Sequence, residues 1–189
     1  VRQQKKLAWR IYRPGIVVGH SQTGEIDKID GPYYFFKLIQ KMRRMLPAWV
    51  PTLGIEGGRI NLVPVDFVAQ AVDHIAHKPK LNGRCFHLTD PHPKRIGEVM
   101  NIFAEAAHAP LMSMRIDARL FSLIPSPVKQ GMGMLPPVRR IIKQVLDDLG
   151  IPKEMMSFFN YPTHFDTREA EAALRGSGIE VPSLETYAW

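Results

Sequence analysis

The sequence contains one cysteine, Cys85, among 189 residues. One cysteine excludes an internal disulfide and any zinc or iron–sulfur site built from clustered cysteines, so we expect a reducing, cytoplasmic location. No apolar run approaches the roughly 20 residues that span a bilayer, so we expect no transmembrane segment. Residues 1–6 carry no initiator Met and no signal-peptide core, which favours the interior of a longer polypeptide.

The sequence also lacks the glycine pattern that binds dinucleotide phosphates. Gly131 and Gly133 have no third glycine at the required offset and no strand before them. The seven histidines form two loose pairs, His74/His77 and His87/His92, whereas a metal site needs three or four convergent ligands. We therefore predict neither a complete nucleotide-binding site nor a metal site in these residues.

Positive charge is concentrated in the first quarter of the chain. The net charge is +7, and residues 1–50 contain ten basic and three acidic residues, while the remainder is balanced. A nucleic-acid-binding protein would spread such charge over its fold, so we expect no nucleic-acid partner. A local positive region suits either a phosphorylated cofactor or substrate, or a solvated helix face.

Alternating strands and helices predict an α/β fold with a partly parallel sheet. Residues 8–18 are typical of a strand interrupted at Pro14 and Gly15. The other predicted strands are residues 60–65, 85–88 and 112–116, and the predicted helices are residues 33–46, a helix capped by Asp66, and one that buries Ile96, Val99, Met100 and Phe103.

The second half of the sequence is predicted to be mostly helical. Residues 120–136 are rich in Pro, Gly and Met and indicate an apolar loop, followed by a helix over residues 138–149. Asp166 and Glu169 have the spacing of a capping box before a last helix that ends near Gly176. We expect residues 111–189 to form a mostly helical subdomain.

Two short motifs suggest catalytic chemistry. Residues 19–23, G-H-S-Q-T, almost match the nucleophile elbow of serine hydrolases, with Ser21 as nucleophile, but Thr23 replaces the second glycine. Tyr33 and Lys37 form Y-x-x-x-K, in which a lysine one helical turn away lowers the pKa of a tyrosine that exchanges a proton with substrate. Lys37, Lys41 and Arg44 form a positive stripe on the same predicted helix.

Four segments together resemble the extended short-chain dehydrogenases. Residues 9–19, W-R-I-Y-R-P-G-I-V-V-G, are similar to the late strand and R-P-G loop of that group. Residues 27–34, 61–69 and 85–89 resemble the following loop and helix, the V-P-V-D-x-V-A segment and the last sheet strand of its fatty acyl-CoA reductase and thioester reductase (male-sterility type) branch. The order and spacing agree over residues 8 to about 110.

This resemblance implies the C-terminal part of a Rossmann-type NAD(P)-binding fold with a mostly helical substrate-binding subdomain. Residues 1–110 would supply the last strands and helices of the reductase domain, and residues 111–189 the subdomain. In the family, the phosphate loop and the catalytic Tyr and Lys precede the R-P-G strand. Tyr33 and Lys37 follow it here, so they remain outside candidates for catalysis, and the missing N-terminal half of the same polypeptide is an expected partner.

The implied function is reduction of an acyl thioester by NADPH or NADH to an aldehyde or an alcohol, a step in lipid metabolism. The resemblance assigns cofactor binding to Arg13, Pro14, Gly15, Ile16 and Val17. It assigns substrate binding to His20, Ser21, Tyr33, Tyr34 and Lys37. Two alternatives stay open: a serine hydrolase that uses Ser21, and a non-catalytic or sugar-nucleotide-binding relative.

Overall fold

The computed structural model describes residues 7–27, 31–117 and 163–188, and it has the predicted α/β composition. The strands are β1 (Ile11–Pro14), β2 (Ile16–Val18), β3 (Thr52–Glu56), β4 (Arg59–Ile60), β5 (Leu62–Pro64), β6 (Cys85–Leu88), β7 (Lys94–Arg95) and β8 (Met112–Asp117). The helices are α1 (Tyr34–Met45), α2 (Val65–His77), α3 (Ile96–Ala106) and α4 (Arg168–Leu174), and two short 3-10 turns cover Gly31–Tyr33 and Leu184–Thr186.

The described residues form two compact units. The first contains residues 7–27, 61–93 and 163–187, and the second contains residues 31–60 and 94–117. Residues 163–187 therefore belong to the same unit as residues 7–27, although the boundary predicted near residue 110 separates these two segments. The predicted loop over residues 120–136 and helix over residues 138–149 lie outside the described residues, and the predicted subdomain stays a prediction.

The first unit is built on two parallel strand pairs that share one extended segment. β1 pairs with β6 from Ile11 opposite Cys85 to Pro14 opposite Leu88, and β2 pairs with β5 from Ile16 opposite Leu62. The strand thus changes its partner at Gly15, between β1 and β2. The predicted interruption at Pro14 and Gly15 is confirmed, and its reason is this change of partner.

The core of the first unit lies between α2, α4 and these strands. Phe67, Ala71 and Ile75 line the buried face of α2, whereas Val68 and Val72 are only partly buried beside it. Phe86 and Leu88 of β6 are fully buried against this face. Alternate residues of a strand point to one side, which is why Phe86 and Leu88 enter the core together. The other core members are Val63, Ala170, Ala173 and Leu174.

The second unit pairs α1 with α3 and contains two further strand pairs. β3 runs parallel to β8, and β4 runs antiparallel to β7. Phe36 of α1 meets Phe103 of α3 edge to face, with ring centroids 5.0 Å apart. The predicted buried face of α3 is confirmed, since Ile96, Val99, Met100 and Phe103 are all buried.

Two predicted helix caps are wrong. Pro64 is the N-cap of α2, and Asp66 lies two residues later in the first turn. The Asp66 carboxylate accepts hydrogen bonds from Ser21 and does not cap the helix. Asp166 is not the N-cap of α4, because Thr167 occupies that position and Asp166 accepts hydrogen bonds from Arg168. The partner of Asp66 lies 45 residues away in sequence, whereas the partner of Asp166 lies two residues away. Among the residues that the structure describes, no helix is long and apolar enough to cross a membrane.

Candidate functional site

Gly15 is the point where the strands of the first unit are joined. Its amide donates to the Leu88 carbonyl at 3.0 Å, and the Ile16 amide donates to the Asn61 carbonyl at 2.9 Å. The Asn61 side chain pairs with both backbone groups of Asp90, each at 2.8 Å. A Cβ on Gly15 would lie 2.8 Å from Asn61 Oδ1, so the glycine is needed for the approach of Asn61.

This geometry limits how residues 13–17 could meet a nicotinamide ring. The amides of Gly15 and Ile16 do not fit as donors to its carboxamide, because the sheet already uses both N–H groups. Pro14 and Val17, in contrast, expose apolar side chains, and Val17 is 39% exposed. The residues present therefore fit a wall that packs against a flat ring, and Arg13 lies exposed beside them.

Ser21 is held by the carboxylate of Asp66. The Ser21 amide donates to Oδ1 at 2.8 Å and the Ser21 hydroxyl donates to Oδ2 at 2.7 Å. Burial alone would raise the pKa of Asp66, but the two hydrogen bonds from Ser21 outweigh it, and the pKa is lowered. Asp66 is therefore an ionised acceptor that ties the turn after β2 to the start of α2.

His20 closes the same turn from the other side. Its Nδ1 accepts from the backbone amides of Gln22 at 3.1 Å and Thr23 at 3.4 Å. Gly24, at a φ of +69°, donates to the His20 carbonyl at 2.9 Å, and the His20 amide donates to the Glu25 carbonyl at 3.0 Å. A ring whose Nδ1 accepts carries its proton on Nε2 when neutral, so His20 presents an N–H donor.

The serine hydrolase alternative does not fit this arrangement. A nucleophilic serine needs a base that takes its proton, and His20 uses Nδ1 for backbone amides, while the Ser21 hydroxyl donates to Asp66. No helix follows Ser21 directly, because residues 21–23 form a turn and the chain then continues without regular structure to residue 27. The turn is thus a hydrogen-bonded connection and lacks the geometry of a nucleophile elbow.

Tyr33, Tyr34 and Lys37 lie at the start of α1 in the second unit, while the predicted cofactor residues, His20 and Ser21 lie in the first. Tyr33 is partly buried and contacts Phe36 edge to face at 5.2 Å, and Lys37 is exposed. Lys41 and Arg44 are also exposed, as the predicted positive stripe requires, and Phe35 and Ile39 of the same helix are buried.

Arg10 binds the C-terminal end of α2, a structural role that no sequence motif indicated. Its guanidinium donates to the carbonyls of Ile75, Ala76 and Lys78 at the C-terminal end of α2, and its Nε donates to Asn82 Oδ1. The last carbonyls of a helix have no partners within the helix and carry partial negative charge. Part of the positive charge in residues 1–50 therefore stabilises the fold.

Glu56 is the second missed residue, and it is buried in the second unit at 8% exposure. Its Oε1 accepts from the Gly97 amide in the first turn of α3 at 3.0 Å, and its Oε2 accepts from Arg115 at 3.0 Å. A carboxylate at a helix N-terminus is favoured by the helix dipole. No local motif marks Glu56, because its partners lie 41 and 59 residues away.

Comparisons with known proteins identify the relatives of this fold. Residues 1–72 match the NAD-binding family described as male sterility protein. The chain is 28% identical over 180 residues to a nonribosomal peptide synthetase, FrzA, from Cladobotryum sp., covering 93% of this chain and 16% of that protein. It is 37% identical over 81 residues to aldehyde reductase lnbA from Aspergillus flavus, covering 43% of this chain and 7% of that one.

Solved structures share the fold. The terminal R domain from the myxalamid PKS-NRPS pathway matches with a TM-score of 0.57 and 24% identity, over 97% of this chain and 42% of that one. An archaeal thiolation-reductase di-domain matches with a TM-score of 0.53 and 18% identity, over 99% of this chain and 35% of that one. The chain thus spans less than half of the length of each of these relatives.

The parallel strand pairs, the helices beside them and these structural matches show a Rossmann-type α/β fold. Within that fold, residues 1–72 are similar to the NAD-binding family described as male sterility protein. The resemblance seen in the R-P-G strand and the V-P-V-D-x-V-A segment is confirmed.

Proposed function

We propose that this chain is the C-terminal part of an NAD(P)H-dependent reductase that acts on acyl thioesters and gives an aldehyde or an alcohol. The observation that carries the proposal is the similarity of almost the whole chain to synthetase FrzA, together with the shorter match to aldehyde reductase lnbA. A thiolation-reductase di-domain shares the fold, and a reductase joined to a thiolation domain suits an acyl group that arrives as a thioester.

We assign the wall beside the nicotinamide to Arg13, Pro14, Gly15, Ile16 and Val17, with Pro14 and Val17 as its exposed apolar surface. The cofactor, NADPH or NADH, supplies the hydride when bound. The apolar side chains of Pro14 and Val17 exclude water from that face of the nicotinamide ring. We place the phosphate loop and the catalytic Tyr and Lys in another part of the same polypeptide, since no glycine-rich phosphate loop occurs among these 189 residues.

We propose substrate contacts for His20 and Ser21 in the first unit, and we keep Tyr33, Tyr34 and Lys37 in the second unit as separate candidates for substrate contact. Ligands of open parallel sheets bind beyond the carboxyl ends of the strands, and His20 lies two residues after the carboxyl end of β2. Its Nε2–H suits an acceptor oxygen, whether on the acyl thioester or on its carrier arm. A reductase of this kind, with one cysteine and no disulfide, suits the cytoplasm.

The test is an assay of the full-length gene product. It is mixed with NADPH or NADH and either a long-chain acyl-CoA or an acyl group on a carrier protein, and the absorbance of the reduced nicotinamide is followed. We expect oxidation that depends on the thioester, with aldehyde or alcohol recovered as product. Cofactor oxidation that ignores every thioester, or hydrolysis of the thioester without cofactor, would overturn the proposal.

A further inference from the structure

We infer that Asp66 is a positioning residue for the reductase: it acts through Ser21 to fix the imidazole of His20 toward the acyl thioester. The inference rests on the proposed function and deepens it. Asp66 belongs to α2 and the His20 turn belongs to the segment after β2, so the carboxylate joins two elements that are 45 residues apart in sequence.

The carboxylate uses both oxygens on one residue of the turn. Oδ1 accepts from the Ser21 amide and Oδ2 accepts from the Ser21 hydroxyl, so both the backbone and the side chain of Ser21 are fixed. Two hydrogen bonds to an ionised acceptor are each stronger than a neutral pair. α2 is 13 residues long and packs Phe67, Ala71 and Ile75 into the core, so Asp66 belongs to a helix that the core holds in place.

Ser21, which adjoins His20, then determines the direction of the His20 imidazole. Ser21 is the first residue of the turn whose next two amides, from Gln22 and Thr23, donate to Nδ1 of His20. If Ser21 is released, these amides lose their fixed direction and the imidazole loses both donors. The neutral ring can then carry its proton on either nitrogen, and the Nε2–H donor is no longer held in one place.

The experiment is a double-mutant cycle between His20 and Asp66 in the full-length gene product, with acyl-CoA as the probe substrate. We expect Asp66→Asn to raise KM about tenfold, the effect of losing one charge-assisted hydrogen bond, and to change kcat little. His20→Ala should raise KM by a similar factor. In the double variant the two effects should not multiply, because Asp66 acts through His20.

Matched variants separate positioning from general stability. Asp73→Asn makes the same chemical change at an exposed site on α2 and should leave KM unchanged. Ser21→Thr keeps the hydroxyl and should restore most of the affinity that Ser21→Ala loses. The Nδ1 and Nε2 nitrogen signals of His20 in an NMR spectrum should show one tautomer in the parent protein and a mixture in Asp66→Asn.

The outcomes distinguish this inference from the proposed function. Absence of thioester-dependent activity in the parent protein defeats the proposed function, and the NMR measurement still reports on the turn. An active parent whose KM is unaffected by Asp66→Asn overturns the inference. Effects of His20→Ala and Asp66→Asn that multiply, or a single His20 tautomer that survives Asp66→Asn, overturn it as well.

Discussion

The Asn61 carboxamide occupies the space into which a side chain at residue 15 would project. Oδ1 and the carbonyl oxygen of Asn61 lie 2.8 and 2.9 Å from the position of a Cβ on Gly15, closer than real Cβ contacts. Asn61 also binds both backbone groups of Asp90. The R-P-G sequence is therefore explained within the fold, since the glycine admits the side chain that joins Asp90 to the R-P-G strand.

Gly15→Ala should destabilise the protein by about 1–3 kcal/mol, the usual cost of forcing extra atoms into a packed site. The atoms nearest to this Cβ include the backbone carbonyl oxygen of Asn61, which cannot rotate away as a flexible side chain could. Gly24→Ala is the comparison, since nothing lies within 4 Å of its Cβ and only its φ of +69° is unfavourable. Urea midpoints measure both, and a smaller loss at Gly15 than at Gly24 would contradict the packing explanation.

The sequence predicted most of the described secondary structure because periodicity and local turn residues carry that information. The apolar face of α3 and the interruption at Pro14 and Gly15 were both visible in this way. The position of Asp66 was predicted wrongly for the opposite reason. A cap motif is local, and Asp66 found a partner 45 residues earlier in the sequence.

The candidate site was predictable only in part. The resemblance marked residues 13–17 and His20, but it could not show that Asn61 fills the space over Gly15 or that two sheet carbonyls already bind the Gly15 and Ile16 amides. These contacts depend on which strands pair, and strand pairing is decided by long-range packing. Glu56 was missed on the same grounds, because a single glutamate at the end of a strand carries no pattern.

Glu56→Gln should lower stability by about 1–3 kcal/mol, because it removes the charge of a buried carboxylate that accepts a hydrogen bond from Arg115, whose own side chain is 32% exposed. The amide keeps one oxygen acceptor for the Gly97 and Gly57 amides but loses the charge that faces Arg115. Glu169→Gln is the matched control, because its pair with Arg84 is about half exposed on both sides. Exposed pairs contribute roughly 0–1 kcal/mol, so equal losses in the two variants would refute the role given to Glu56.

Arg10→Met should lower stability by about 2 kcal/mol, in line with the loss of several charge-assisted hydrogen bonds to helix carbonyls. The methionine keeps an apolar stem of similar length, so the loss reports on the guanidinium. Arg44→Met, on the exposed face of α1, serves as the control and should change stability by less than about 0.5 kcal/mol. Hydrogen exchange at the last turn of α2 should accelerate in Arg10→Met alone.

The Ser21–Asp66 contact predicts a specific acid dependence. The pKa of Asp66 is lowered in the folded protein, so the carboxylate favours folding above its ordinary pKa of 3.8, and this contribution disappears as the pH falls through the lower, folded value. We expect the Ser21 amide to exchange faster once the pH falls below 3.8 toward that value. In Asp66→Asn the exchange should show no such step, and a step that persists there would assign it to another group.

A polypeptide of residues 1–189 alone should not turn over acyl thioesters. Hydride transfer needs a cofactor held by its pyrophosphate, and these residues contain no glycine-rich loop for it. It also needs a proton donor at the carbonyl, and in the family order that tyrosine precedes the R-P-G strand. The measurement mixes this polypeptide with NADPH or NADH and a long-chain acyl-CoA and follows the reduced nicotinamide, with the full-length protein as positive control. Steady turnover that is abolished by Tyr33→Phe would instead assign catalysis to Tyr33 and Lys37, because loss of the phenol would then remove the proton donor itself.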